Sequence, residues 1–181
     1  SWYASTGCEI EEGRTLNQQD GSQWPAIYRN QDMEAAKGLW IGVTNWTDNS
    51  GDNYPFKVVH VGPRVTGLGT GEVFPIRQGN TYLSTASQFD PPSVTVDGNA
   101  SLDKPVENDA VDPTLKADRV ITNIVNTAIG LTMTRKILAF SQQYHDNYII
   151  YDYTFTNTGN TNADATIERP SQILDSLYIF L

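Results

Sequence analysis

Asp48-Asn-Ser-Gly-Asp52 concentrates two carboxylates and three further oxygen-bearing positions in five residues. Calcium takes about six to eight oxygens from carboxylates, carbonyls and water. Asp48, Ser50 and Asp52 are therefore the candidate ligands of a calcium ion, the one cofactor the sequence suggests. An EF-hand loop would close with Glu at position 59, which is Val here. A plain polar hairpin turn is the simpler reading and the preferred one. Asp103, Glu107, Asp109 and Asp112 form the densest acidic stretch, diluted by Lys104 and Lys116. Converging carboxylates repel unless a cation sits between them, but a solvated loop is again the simpler reading.

The histidines are His60 and His145. Either can serve as a metal ligand or a base. His60 stands inside the apolar run Val58 to Val61, and His145 inside the polar segment Gln142 to Asn147. His145 beside Asp146 could form a binding loop, but a structural or solvated histidine is the simpler reading at both positions. There is no G-x-S-x-G nucleophile elbow. A dispersed triad or carboxylate pair leaves no trace in sequence. With no catalytic motif, the chain reads as a non-enzyme.

Tryptophans offer a different chemistry. Flat aromatic faces flanked by Asn, Asp and Gln bind sugars by covering C–H faces and pairing hydroxyls. Trp46, beside Asn45, Thr47 and Asp48, fits this best, so Asn45 and Trp46 are the candidate polysaccharide contacts. The preferred reading puts the tryptophans in the core as large apolar fillers, Trp40 above all.

The elements that must position these residues are strands. Ile149, Tyr151, Tyr153 and Phe155 alternate with Ile150, Asp152, Thr154 and Thr156, which gives a strand with one aromatic face and one mostly polar face. Asn157-Thr-Gly-Asn160 breaks the run, and Ala163 to Ile167 is expected to return as a shorter strand. Leu39 to Thr47, the turn at Asp48–Asp52 and Phe56 to Val61 predict a second hairpin. One or two short strands are expected within residues 72 to 89. Val94 to Val96 with Asp97-Gly98 reads as a strand and turn, and Arg119 to Ile124 and Leu131 to Phe140 read as strands. Gln31 to Lys37 reads as a short helix capped by Asn30 and ended by Gly38. Residues 1 to 38 otherwise form an extended N-terminal arm. Residues 39 to 130 form a β-rich region with long loops, and residues 131 to 181 the strands of a β-sandwich. The fold class is mainly β: an immunoglobulin-like or jelly-roll antiparallel sandwich.

The chain finishes in an apolar run, Leu177-Tyr178-Ile179-Phe180-Leu181. An uncovered apolar strand edge is a liability, and strand addition is its usual use. These five residues are the candidate assembly surface, for self-association or for the remainder of a larger parent chain.

The segment from Tyr148 to Ile167, with its Thr156-Asn-Thr-Gly-Asn160 motif, resembles immunoglobulin-like domains of the cell-adhesion-related type. Glu11-Glu-Gly-Arg14, Asp20 to Pro25, Lys37 to Gly42, Lys57 to Pro63 and Phe140 to Asn147 resemble the N-terminal part of large secreted proteins. Those come from Gram-negative bacteria that export cargo through a C-terminal sorting domain. The resemblance implies secretion to the cell surface or beyond and a larger parent chain; it implies no catalytic residue.

Composition agrees with an extracellular role. The 181 residues carry a formal charge of −9 and a pI near 4.5, which repels nucleic-acid backbones and anionic membranes. A lone cysteine, Cys8, forbids an intrachain disulfide. No run approaches the roughly 18 apolar residues that span a membrane. The reading that results is a secreted structural or adhesive module, able to self-assemble by strand pairing. The alternative is a carbohydrate-binding or accessory module of a secreted hydrolase.

Overall fold

A computed structural model describes residues 2–3, 9–10, 39–61, 72–78, 83–90, 95–100 and 110–181. Among the described residues the regular structure is all β, in several mostly antiparallel sheets. The expected helix at 31–37 lies outside them. So does the N-terminal arm, apart from β1 (Trp2–Tyr3) and β2 (Glu9–Ile10), which pair antiparallel.

The hairpin expected after Leu39 is present as β3 (Leu39–Thr47) and β4 (Asn53–Val61), paired antiparallel from Leu39↔Val61 to Thr47↔Asn53. β5 (Val73–Pro75) and β6 (Leu83–Ser87) are the two short strands expected between 72 and 89. β7 (Thr95–Val96) and β8 (Asn99–Ala100) flank the Asp97-Gly98 turn. β9 (Ala110–Val111) pairs parallel with β6. β10 (Arg119–Thr127), β11 (Leu131–Ala139) and β12 (Ile150–Asn157) follow, and β13 (Asp175–Phe180) ends the series. The larger sheet has the order β12-β11-β10-β6-β9, with β5 also on β10; a three-stranded sheet has the order β13-β3-β4.

The chain divides into two compact units. One comprises residues 1–33, 78–122 and 135–152; the other comprises 34–77, 123–134 and 153–181. In the first, Leu83, Ile121 and Ile137 form a small buried cluster against Ile149 and Tyr151. The second holds the larger core: Leu39, Ile41, Val43, Trp46, Val59, Val125, Ile129, Leu131 and Met133. Tyr153 and Phe155 pack on it, their rings stacked with centroids 6.3 Å apart. The aromatic face expected for this strand is therefore the packed one. Each fully buried aliphatic side chain contributes about 1.5–3 kcal/mol, so this cluster supplies most of that unit's hydrophobic stabilisation.

The expected strand at Ala163–Ile167 does not form. Residues 158 to 174 make a loop in which side chains cap the backbone two residues on. Thr158 Oγ1 accepts from Asn160 N (3.3 Å), and Asn160 Oδ1 from Asn162 N (3.0 Å). Asn162 Oδ1 accepts from Asp164 N, and Asp164 Oδ1 from Thr166 N, each at 2.7 Å. Short polar side chains at every second residue thus occupy the amides that a sheet ladder would use.

The Thr-Asn-Thr-Gly-Asn motif ends β12 and ties it to the β10–β11 turn. Gly159 N donates to Gly130 O (2.9 Å), and Arg169 N donates to Gly159 O (3.0 Å). Gly159 has φ +73° and so close a neighbour in the Arg169 carbonyl that no Cβ fits. Asn157 and Gln172 exchange bonds: Nδ2 to Gln172 O at 3.1 Å, and Gln172 Nε2 to Asn157 Oδ1 at 2.6 Å. Thr158 Oγ1 meets Thr132 Oγ1 at 2.7 Å. A motif that sequence reads as a hairpin turn is a structural junction.

Candidate functional site

β3 is the middle strand of the β13-β3-β4 sheet, and its alternation gives the sheet two different faces. Leu39, Ile41 and Val43 point into the core and are almost fully buried. Trp40, Gly42 and Thr44 point the other way. The register then places Phe180 beside Trp40, Tyr178 and Val58 on either side of Gly42, and Phe56 beside Thr44. The outer face therefore carries Trp40, Phe56, Val58, Tyr178 and Phe180, between 41% and 78% exposed, with Asp175 at its end opposite Thr44. At about 200 Å² per aromatic residue, the four rings alone expose roughly 500 Å². That matches the largest apolar patch of an ordinary soluble domain, a size that marks interaction sites.

β13 is one edge of this sheet. Its inner row differs from that of β3. Ile179 stands opposite Ile41, yet Ile179 is 45% exposed where Ile41 is fully buried. Leu177 and Leu181 are exposed as well. The assembly residues expected from sequence, Leu177, Tyr178, Ile179, Phe180 and Leu181, thus sit together at a sheet edge that is apolar on both faces. A bulge between Asp175 and Tyr178, with Ser176 at φ +48°, marks where regular pairing to β3 begins. β4, the opposite edge, carries Pro55 and Lys57.

Of the calcium candidates, Asp48 has other employment. Asp48 Oδ1 accepts from Ser50 N (2.8 Å) and Asp52 N (2.9 Å), and Oδ2 accepts from the Tyr54 hydroxyl (3.4 Å). The Asp52 amide, first, then those of Ser50 and Gly51 with the Tyr54 hydroxyl, hold the Asp48 carboxyl below its ordinary value. The Asp48 charge in turn raises the Tyr54 hydroxyl. Asp48 closes the β3–β4 hairpin as a cap. Among the described residues no three His, Cys, Asp or Glu side chains come together in one group.

The glycan candidates separate. Asn45 is exposed, with φ +51°, and the inward–outward alternation of β3 slips there. Trp46 consequently turns into the core, 8% exposed. The Arg169 guanidinium covers its ring at 5.1 Å, and Tyr54 lies 5.8 Å away. Trp46 presents no face to a sugar. Trp40, expected in the core, is the half-exposed one. The Trp40-x-Gly42-x-Thr44 row against Leu39-x-Ile41-x-Val43 was the available signal for this, since period-two alternation separates the faces.

Asp103, Glu107 and Asp109 lie outside the described residues. Asp112 spends its carboxylate on the Thr114 hydroxyl (2.6 Å) and amide (2.9 Å), which lower its pKa. His145 Nδ1 bonds the Tyr148 hydroxyl in an exposed loop. No helix among the described residues is long and apolar enough to cross a membrane. No protein-family model, curated protein or solved structure matches the chain.

Proposed function

We propose that this chain is a secreted, extracellular or cell-surface structural or adhesive module that self-associates by β-strand pairing. On this reading its mainly β fold is an immunoglobulin-like or jelly-roll sandwich. The observation that carries the proposal is the β13 edge, where Leu177 to Leu181 are all exposed and no charge or proline interrupts them. Proteins normally blunt such edges with Lys, Pro or a covering segment. Retaining an apolar one at a sheet that is otherwise well packed supports a use for it. Strand addition supplies main-chain hydrogen bonds for affinity and side-chain rows for specificity. The acidic charge keeps the module soluble outside assemblies. Secretion is the implication of the segments that resemble exported bacterial surface proteins.

Negative-stain microscopy combined with light scattering tests the proposal. Assemblies that dissolve on Ile179→Lys support it; single 20.1 kDa particles at every concentration refute it.

A second reading, a carbohydrate-binding or accessory module of a secreted hydrolase, is supported by the flat aromatic outer face. Its contacts would be Trp40, Phe56, Tyr178 and Phe180 in place of Trp46. Polysaccharide pull-down that survives Asn45→Ala but fails in Tyr178→Ala with Phe56→Ala would favour it.

A further inference from the structure

We infer that the partner strand for β13 is β13 of a second copy, paired antiparallel about a two-fold axis through Ile179. This rests on the strand-pairing reading above and adds the partner, the register and the symmetry.

The occupant must satisfy two requirements. It must offer an extended backbone to the edge of β13, and it must place apolar side chains on both faces at once, because the inner row Leu177, Ile179, Leu181 and the outer row Tyr178, Phe180 are both exposed. A strand with one polar face would leave one of those rows in water. Within the described strands, β13 itself has this two-faced apolar character.

The other edge of the same sheet argues against a head-to-tail arrangement. There β13 would have to pair with β4 of the next copy. Pro55 removes an amide from that strand, and Lys57 adds a charge; both are devices that discourage edge pairing. Two β13 edges carry neither between Leu177 and Leu181. A heterologous contact builds rings or open filaments, whereas an isologous one closes into a dimer. The asymmetry between the two edges therefore selects the closed dimer.

Register follows from overlap. Centring the axis on Ile179 pairs Ile179 with itself, Leu177 with the second copy's Leu181, and Tyr178 with the second copy's Phe180. Inner residues meet inner residues, and the outer aromatic rows become continuous across a six-stranded sheet. A shift by one residue would oppose inner to outer side chains. Edge pairing covers the flank of these five residues and leaves the two sheet faces open, so it buries less than their whole exposed surface. The buried area falls below the roughly 800 Å² per partner of a standard stable interface, so the dimer forms reversibly with concentration.

Disulfide trapping of the full chain in a Cys8→Ser background tests this. Residues directly opposed in an antiparallel pair have Cα atoms about 4.5–5.5 Å apart, within disulfide reach. Ile179→Cys is expected to give a cross-linked dimer under mild oxidation. Leu177→Cys alone gives none, and Leu177→Cys mixed with Leu181→Cys gives the heterodimer. Ile179→Lys, placing like charges at the axis, is expected to weaken association of the uncrosslinked chain by at least about tenfold. Cross-linking of Tyr178→Cys to Val58→Cys, both on the outer face, with extended polymers overturns the two-fold inference while leaving strand-paired self-assembly standing. A chain that is monomeric in light scattering and gives no cross-link at 177, 179 or 181 overturns both.

Discussion

Replacing Gly159 by Ala is expected to be among the most damaging single-methyl changes in the described part of the chain, and Gly51→Ala supplies its control. Both glycines have positive φ, +73° at Gly159 and +91° at Gly51. The conformational strain of a Cβ in that region is about 1–2 kcal/mol at either site. Around Gly51 nothing lies within 4 Å of the added carbon, so strain is the whole cost. At Gly159 the added carbon falls on the Arg169 carbonyl, with the carbonyl carbon only 2.7 Å away. Relief requires the backbone to part, and the bonds from Arg169 N to Gly159 O and from Gly159 N to Gly130 O go with it. Each such bond is worth about 1 kcal/mol. The expected losses are therefore about 4 kcal/mol for Gly159→Ala and about 1.5 kcal/mol for Gly51→Ala. For a domain of this size they correspond to roughly 12 °C and 5 °C in Tm. Urea titrations followed by tryptophan fluorescence, with thermal melts by circular dichroism, provide the comparison. Equal losses at the two sites would refute the junction assigned to the Thr-Asn-Thr-Gly-Asn motif and leave it an ordinary turn.

Acid sensitivity follows from the capped carboxylates. The Thr161 amide, chiefly, with its hydroxyl, lowers the Glu168 pKa below its ordinary 4.5. A lowered folded pKa means that this contribution is present above the ordinary value and is lost as pH falls through the folded one. Urea midpoints should therefore decline below about pH 4.5, and Glu168→Gln should show a shallower decline. Ile41→Ala, at a fully buried position, should cost about 2–5 kcal/mol, against less than about 1 kcal/mol for Thr44→Ala on the outer face, both read from denaturant titrations. Trp46→Ala should cost about 3–5 kcal/mol in the same measurement, whereas Phe56→Ala should leave the midpoint nearly unchanged and reduce binding of an apolar dye to the native protein.

Strands were legible where alternation is strict. The bounds of β3 match the sequence reading because Leu39, Ile41 and Val43 alternate with smaller or half-exposed partners. The aromatic face of β12 followed from the same period. What failed has identifiable causes. Residues 163–167 read as a strand because alternating Ala and Thr-type residues suit a pleat, yet the same every-second spacing lets Asn160, Asn162 and Asp164 cap the backbone. Local side-chain bonds won over pairing. Trp46, a candidate sugar contact by its polar neighbours, takes the core place that was the preferred reading, turned inward by the positive φ at Asn45. At Asp48–Asp52 the polar hairpin turn, the preferred reading, is what forms, with the Asp48 carboxylate accepting from backbone amides. The apolar run at 177–181 was visible in sequence. Its place at an edge beside Trp40 depends on a pairing across more than a hundred residues, which no local pattern encodes.

Light scattering on a dilution series of the 181-residue chain tests self-association through β13 most directly. The expected mass moves with concentration from 20.1 kDa toward twice that value, and Ile179→Lys holds the series at the monomer. A mass fixed at 20.1 kDa throughout, or an association that Ile179→Lys leaves unchanged, would contradict it.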